Sequence, residues 1–345
     1  MHQMVNLPLL QEWENLYKSA VEFREIEPWR WMSDADVFGV QNPENGELGY
    51  CCIMGALGEH LALAVYLGTE GLEGYLKIQN GEVTEADPEM LYVNKCLMAS
   101  FEDRDFLDEP DLDIIKKLGL RFEGKKSWPL FRSWRPGYYP WDLTSEEIRY
   151  LAACLQQAKE VSLRAREAPW IIFSPEENHY FARSAKRGKE GLKWRDARVK
   201  PVFVDKEKEP PVLIDENRVA QIKQTVPFSR EVWEVDFFYS PMPVRNKDER
   251  PYYPPTTLWV DHHSGFIWTS LLSSFDNYRE GILKHTLELI EEKNSIPAEI
   301  WTKKDETFDL FKPISEKLGI KLEKKKKLPS LEQARIHMHK VLGQV

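Results

Sequence analysis

The 345 residues hold only four cysteines, Cys51, Cys52, Cys96 and Cys154, with no CxxC pair among them. Adjacent cysteines rarely bridge, and zinc needs ligands spaced to converge, so neither a disulfide framework nor a zinc core is expected. Buried free thiols in a reducing compartment are the better reading. Long apolar runs are missing as well. The stretch 61–67 falls far short of the roughly 20 residues that cross a bilayer. Residues 1–10 lack the basic and apolar regions of a secretion signal. A cytoplasmic chain without membrane association is therefore expected. The sequence has no P-loop, GxGxxG, GxSxG or HExxH pattern, which removes the commonest handles for metabolic chemistry. A net charge of −9 argues against a surface given over wholly to nucleic acid, though local patches stay open.

What is present is a globular composition, 42% hydrophobic and 30% charged, in a chain long enough for two domains. An internal repeat organises it. At a shift of 207, residues 50–77 lie over 257–284 without a gap, pairing Gly58 with Gly265, Gly74 with Gly281 and Lys77 with Lys284. At a shift of 200, Lys117, Leu118 and Gly119 meet Lys317, Leu318 and Gly319, and Pro129 meets Pro329. Two collinear matches point to duplication.

Each copy reads as β-β-β-α-β-α-β-α. In the second copy the strands are 232–239, 257–261, 266–272, 298–302 and 320–328. The helices are 278–293, where Ile282, Leu283, Leu287 and Ile290 recur at helical spacing, then 308–318, closed by Gly319, and 330–342. Between the copies, 169–173 and 191–204 read as strands, and 206–211, KEKEPP, as an interdomain linker. The expected layout is an N-terminal unit over 1–165, a hairpin extension and linker over 166–225, and a C-terminal unit over 226–345.

The hairpin meander followed by crossover helices resembles the ribonuclease H-like fold of integrase and transposase cores. VWEVDFFY (232–239) is similar to that family's first-strand aspartate segment, DHHSG (261–265) to its second-strand turn, and PAEIWT (297–302) to its fourth strand. The fold class this implies is α/β with mixed sheets, as two tandem ribonuclease H-like units. The resemblance also implies converging carboxylates that hold two Mg or Mn ions for phosphoryl transfer. The candidates here are Asp236, Asp261, Asp305 and Glu332. Lys303 stands where the family has its second aspartate, and the first copy has Gln41 and Met54 at the matching places, so the acidic set is incomplete. As a whole the chain resembles an uncharacterised bacterial family, through PWRWM (28–32), GYCCIMG (49–55), RPGYYPW (135–141) and LPSLEQA (328–334).

Four further features carry candidate chemistry. His262-His263 and the pair His337 and His339 could meet only as one cluster, since neither pair can chelate by itself. The lysines 324–327 read as a phosphate patch or, more simply, as the guard of an edge strand. The first copy gains 15 residues (145 − 330 + 200) in its segment LFRSWRPGYYPW (130–141). Its Arg132, Trp134, Arg135, Tyr138 and Tyr139 suit stacking on a partner, and serve equally as a packed loop. The stretch 183–200 holds eight cations against Glu190 and Asp196, so a basic hairpin with Tyr180, Phe181 and Trp194 could meet nucleic acid. The reading that joins these features is a non-catalytic binding or regulatory protein without a cofactor, engaging a protein or nucleic acid. The alternative is a metal-dependent nuclease or phosphoryl transferase.

Overall fold

Leu16, Tyr17, Ala20 and Phe23 recur at helical spacing and are all buried, which makes Leu10–Glu25 the amphipathic helix α1. The computed structural model describes residues 8–83, 90–173, 176, 178–188, 191–203, 212–240, 242–245, 249–275 and 277–342. The chain divides into two units, Met1–Asp205 and Lys206–Val345. The expected linker at 206–211 lies outside the described residues.

In the first unit β1 (Phe38–Gln41), β2 (Leu48–Met54) and β3 (Leu61–Leu67) form an antiparallel meander that leads into α2 (Gly68–Gln79). The short α3 (Met90–Val93), β4 (Cys96–Glu102), α4 (Glu109–Lys117), β5 (Trp128–Trp134) and α5 (Ser145–Glu167) follow. Thr144 caps α5 through the amide of Glu147, whose carboxylate reaches back to the Thr144 amide. β6 (Tyr180–Gly188) and β7 (Gly191–Val199) complete a seven-stranded sheet in the order β5-β4-β3-β2-β1-β6-β7. One face packs on α1 and α5 through Leu16, Phe23, Ile53, Leu63, Leu97 and Leu151. The other packs on α2 through Tyr50, Cys52, Tyr66 and Leu72. The four cysteines are free and buried.

The second unit begins with α6 (Glu216–Thr225) and runs through β8 (Val232–Tyr239), β9 (Pro255–Asp261), β10 (Ile267–Leu272) and α7 (Tyr278–Lys293). It ends with β11 (Glu299–Thr302), α8 (Asp305–Leu318), β12 (Lys321–Lys324) and α9 (Pro329–Leu342). The sheet order is β10-β9-β8-β11-β12, with β8, β9 and β10 antiparallel and β8, β11 and β12 parallel. Side chains alternate across β8. Trp233 and Val235 face α6, α7 and α8, while Phe238 faces α9 with Leu258, Val260 and Leu331. Trp233 and Trp259 have no exposed surface; burying about 200 Å² each is worth roughly 5 kcal/mol apiece at about 25 cal/mol per Å². The outer edge of this sheet, β12, carries Lys321 and Lys324, both exposed, in keeping with an edge guarded by charge.

Both units are therefore mixed α/β, and the turns at Gly58 and Gly265 share a positive φ, +76° and +72°. Gly119 and Gly319 likewise share +68° and +78° behind their helices. The sheets do not match. In the second unit the strand after the first helical crossover, β11 behind α7, pairs in parallel with the first strand of its meander, β8. In the first unit that edge of β1 is taken by β6, in parallel, with Gly39 opposite Ala182. β4 must then add to the free edge of β3, antiparallel, and β5 follows it. The expected second-half correspondence fails with it: Pro129 lies inside β5, whereas Pro329 opens α9.

Two local expectations also change. Residues 169–171 form a 3-10 turn, Pro169–Ile171, not a strand, because proline opens it and Arg198 Nη2 takes the carbonyls of Ile171 and Phe173. The stretch expected as one extension, 166–225, is divided. The hairpin β6–β7 belongs to the first sheet, and α6 packs into the second core through Val219 and Ile222.

Candidate functional site

Asp236 sits on β8 beyond the last residue that β11 pairs, and it is 4% exposed. Its carboxylate is fully engaged. Oδ2 accepts from the amides of Lys303 (2.9 Å) and Lys304 (3.0 Å), the turn that opens α8. Oδ1 accepts from the amide of Phe237 (2.9 Å) and the hydroxyl of Thr307 (2.5 Å). The first turn of a helix leaves its amides without intrahelical partners. Lys304 itself, at the cap position, supplies no side-chain acceptor. A carboxylate from the neighbouring strand fills the need and also meets the positive end of the helix. Lys304 turns its ammonium onto the Phe237 carbonyl (2.7 Å), so a cation lies beside this carboxylate.

The other three acidic candidates go elsewhere. Asp261 pairs across the ladder with Trp233 and so shares its face. Asp236 lies three residues along the strand, roughly 10 Å away and on the opposite face. Asp261 accepts from the amide and hydroxyl of Ser264, each at 2.7 Å. Burial works against its charge, yet the Ser264 bonds outweigh this and hold its pKa below the usual aspartate range. Asp305 is exposed and pairs with Lys324. Glu332 lies in the first turn of α9, half-buried. The structure does not bring the four together. Among the described residues no group of three His, Cys, Asp or Glu side chains is placed to hold a metal ion, which includes His262, His263 and His337. The side chain of His339 lies outside the described residues.

The structure does assemble a pair the sequence reading missed. Glu234, also on β8, has no exposed surface. One oxygen meets Nδ1 of His262 at 2.6 Å, and the other accepts from the amide of Leu331 at 2.8 Å. The His262 ring lies 4.2 Å from Trp301 and 5.1 Å from His263, and its carbonyl accepts from the Ser330 hydroxyl at 2.9 Å. A carboxylate buried at zero exposure must be matched by donors. Here the donors come from the end of β9 and the start of α9, so the contact pins α9 to the sheet. Chemically, the carboxylate orients the imidazole. The available signal was a glutamate set between Trp233 and Val235 on a strand covered on both faces.

The aromatic segment of the first unit is structured as β5 and the turn after it. Arg132 grips Asp111 through both terminal nitrogens (2.9 and 2.7 Å) and reaches Asp108 at 3.1 Å. Its side chain is 15% exposed, and these carboxylates outweigh the cost of burial and raise its pKa. Arg135 pairs with Glu147 at 3.0 Å, which ties the turn to the capped start of α5. Trp134 is half-buried and packs on the α2-side core. Tyr138 is half-buried and Tyr139 exposed. The five residues are neighbours, but both cations already face carboxylates.

Residues 13–183 match a family model described as Domain of unknown function (DUF7309), and residues 218–339 match one described as Domain of unknown function (DUF6930). No curated protein matches the sequence. The chain carries two domains of unknown function in tandem, in keeping with a two-domain family.

Proposed function

We propose that this protein is a non-catalytic binding or regulatory protein of the cytoplasm, and that its second unit is a ribonuclease H-like scaffold. The observation that carries this reading is the use made of Asp236. At the position where the resemblance implies a metal ligand, the carboxylate accepts four hydrogen bonds and serves as the cap of α8. An anion committed to donors in this way has no lone pair aimed at an ion, and Lys304 beside it would repel one. The meander followed by two parallel crossover strands supports the scaffold half of the reading. Four free, buried thiols fit a reducing compartment. The shared element order and the paired turn glycines support a common origin for the two units, with the sheet of the first rebuilt around β6.

The test is cleavage. Labelled single- and double-stranded DNA and RNA incubated with the full chain and Mg²⁺ or Mn²⁺ should stay intact. Metal-dependent cutting that disappears in Asp236→Asn would replace this reading with the nuclease one.

A further inference from the structure

Of the twelve tryptophans, Trp170 alone is exposed, at 70%, and Phe173, three residues on, is 64% exposed. Single exposed rings are ordinary, as at Phe106 and Phe266, but two within four residues of each other form the start of a patch. These two sit on a fixed base. Arg198 of β7 donates to the carbonyls of Ile171 (2.9 Å) and Phe173 (3.0 Å), and its guanidinium lies 5.2 Å over the Phe181 ring. Arg164 of α5 lies over the same ring at 5.7 Å. Between Trp170 and the hairpin runs an open cleft of about 420 Å³, with Phe181, Asp196 and Arg198 along it.

The β6–β7 hairpin as a whole is positive, its cations divided between the two faces of the strands. Arg164 and Arg183 both hold Asp196, and Arg183 also holds Glu160 at 2.8 Å. Arg198, by contrast, reaches only carbonyls and a ring among the described residues. Lys200 is exposed just beyond β7. In sequence, 180–203 carries eight Lys and Arg against Glu190 and Asp196, a balance of +6 (8 − 2) in a chain of net −9.

We propose that this face of the first unit binds single-stranded nucleic acid, with bases stacked on Trp170 and Phe173 and phosphates met by Arg198 and Lys200. Exposed aromatic faces beside uncompensated cations are the two elements that such binding combines, and stacking needs bases that are not already paired. The turn is tied down before any partner arrives, so little freedom is lost on binding. This deepens the binding reading above and rests on it.

The experiment uses the full chain in EDTA, titrated against fluorescein-labelled oligodeoxythymidylate and oligouridylate of about 20 nucleotides. Anisotropy should rise on binding, the affinity should fall as salt increases, and Trp170→Ala should weaken it by about tenfold or more. Lys200→Glu should weaken it too and flatten the salt dependence. Because Trp170 is exposed, the melting temperature of Trp170→Ala should match the wild type. Failure of both probes to bind at low salt, equal binding by Trp170→Ala, or equally tight capture of an acidic peptide would each overturn the proposal. Shortening of the probe when Mg²⁺ replaces EDTA would instead count against the non-catalytic reading and leave this one standing.

Discussion

Asp236 offers the sharpest separation between a structural carboxylate and a catalytic one. Asp236→Ala removes the acceptor for the amides of Lys303 and Lys304 and for the Thr307 hydroxyl. The hydroxyl can rotate, but the two amides cannot. These two amide bonds are the cap itself, and each donor left unmade costs roughly 1–3 kcal/mol, so about 2–6 kcal/mol is expected in all. The second unit spans 140 residues (345 − 206 + 1), for which each kcal/mol moves the melting temperature by about 3–5 °C. The expected fall is therefore roughly 6–30 °C. Asp236→Asn keeps the shape and one carbonyl oxygen but turns an amide group toward donors, and should lose about half as much. Millimolar Mg²⁺ should move neither wild type nor variant, since an ion that binds only the native state would raise its melting point. Differential scanning calorimetry with and without Mg²⁺ reads both effects. An Asp236→Asn melt within about 2 °C of wild type, together with a Mg²⁺ shift seen in wild type alone, would refute the argument.

Two further outcomes follow from the first unit. Trp134→Ala should destabilise it by about 2–4 kcal/mol, because the ring packs on the α2-side core, whereas Trp134→Phe should cost much less. The indole N–H is buried with no partner among the described residues, so its removal recovers part of the loss; chemical denaturation of both variants checks this. Asp196 is held down to about 2 first by its bonds to Arg164 and then, against the cost of burial, by those to Arg183. A folded-state value below the ordinary 3.8 means the contribution is complete above about pH 4 and is lost as pH falls toward about 2. Amide exchange along β6 and β7 should speed up in that window, and the change should be missing in Asp196→Asn.

The parts of the fold that could be read from sequence are those with a local cause. Helix α7 and strand β8 were legible to the residue because one repeats its apolar positions every turn and the other is a run of β-branched and aromatic residues. The run at 169–173 has the same composition as a strand, but proline at its first position and a guanidinium 27 residues later bend it into a turn. Sheet order was not legible, because β4 pairs where an edge is free, and that depends on β6, which arrives much later in the chain. The site was legible in part. Asp236 stood out as an acid in an apolar strand, but its partners are backbone amides 67 and 68 residues away, and a peptide N–H has no signature in sequence. Arg132 and Trp134 stood out as an aromatic–basic cluster. What decided their environment was Asp111, 21 residues back on a helix whose placement no local pattern fixes.

The parallel pairing of β1 with β6 sets an order of events during synthesis. Gly39 faces Ala182 so closely that a Cβ on the glycine would lie 2.9 Å from that of the alanine, and the two are 143 residues apart (182 − 39). At about 5–20 residues per second, a ribosome needs roughly 7–30 s to deliver the second after the first. The meander and α5 can form in that interval, but one side of β1 stays bare, with its peptide groups open to whichever strand reaches them first. A nascent neighbour on the same message carries the same bare edge. The growing chain thus passes through a stage in which strand exchange competes with correct closure, and the hairpin's arrival is the step that ends it.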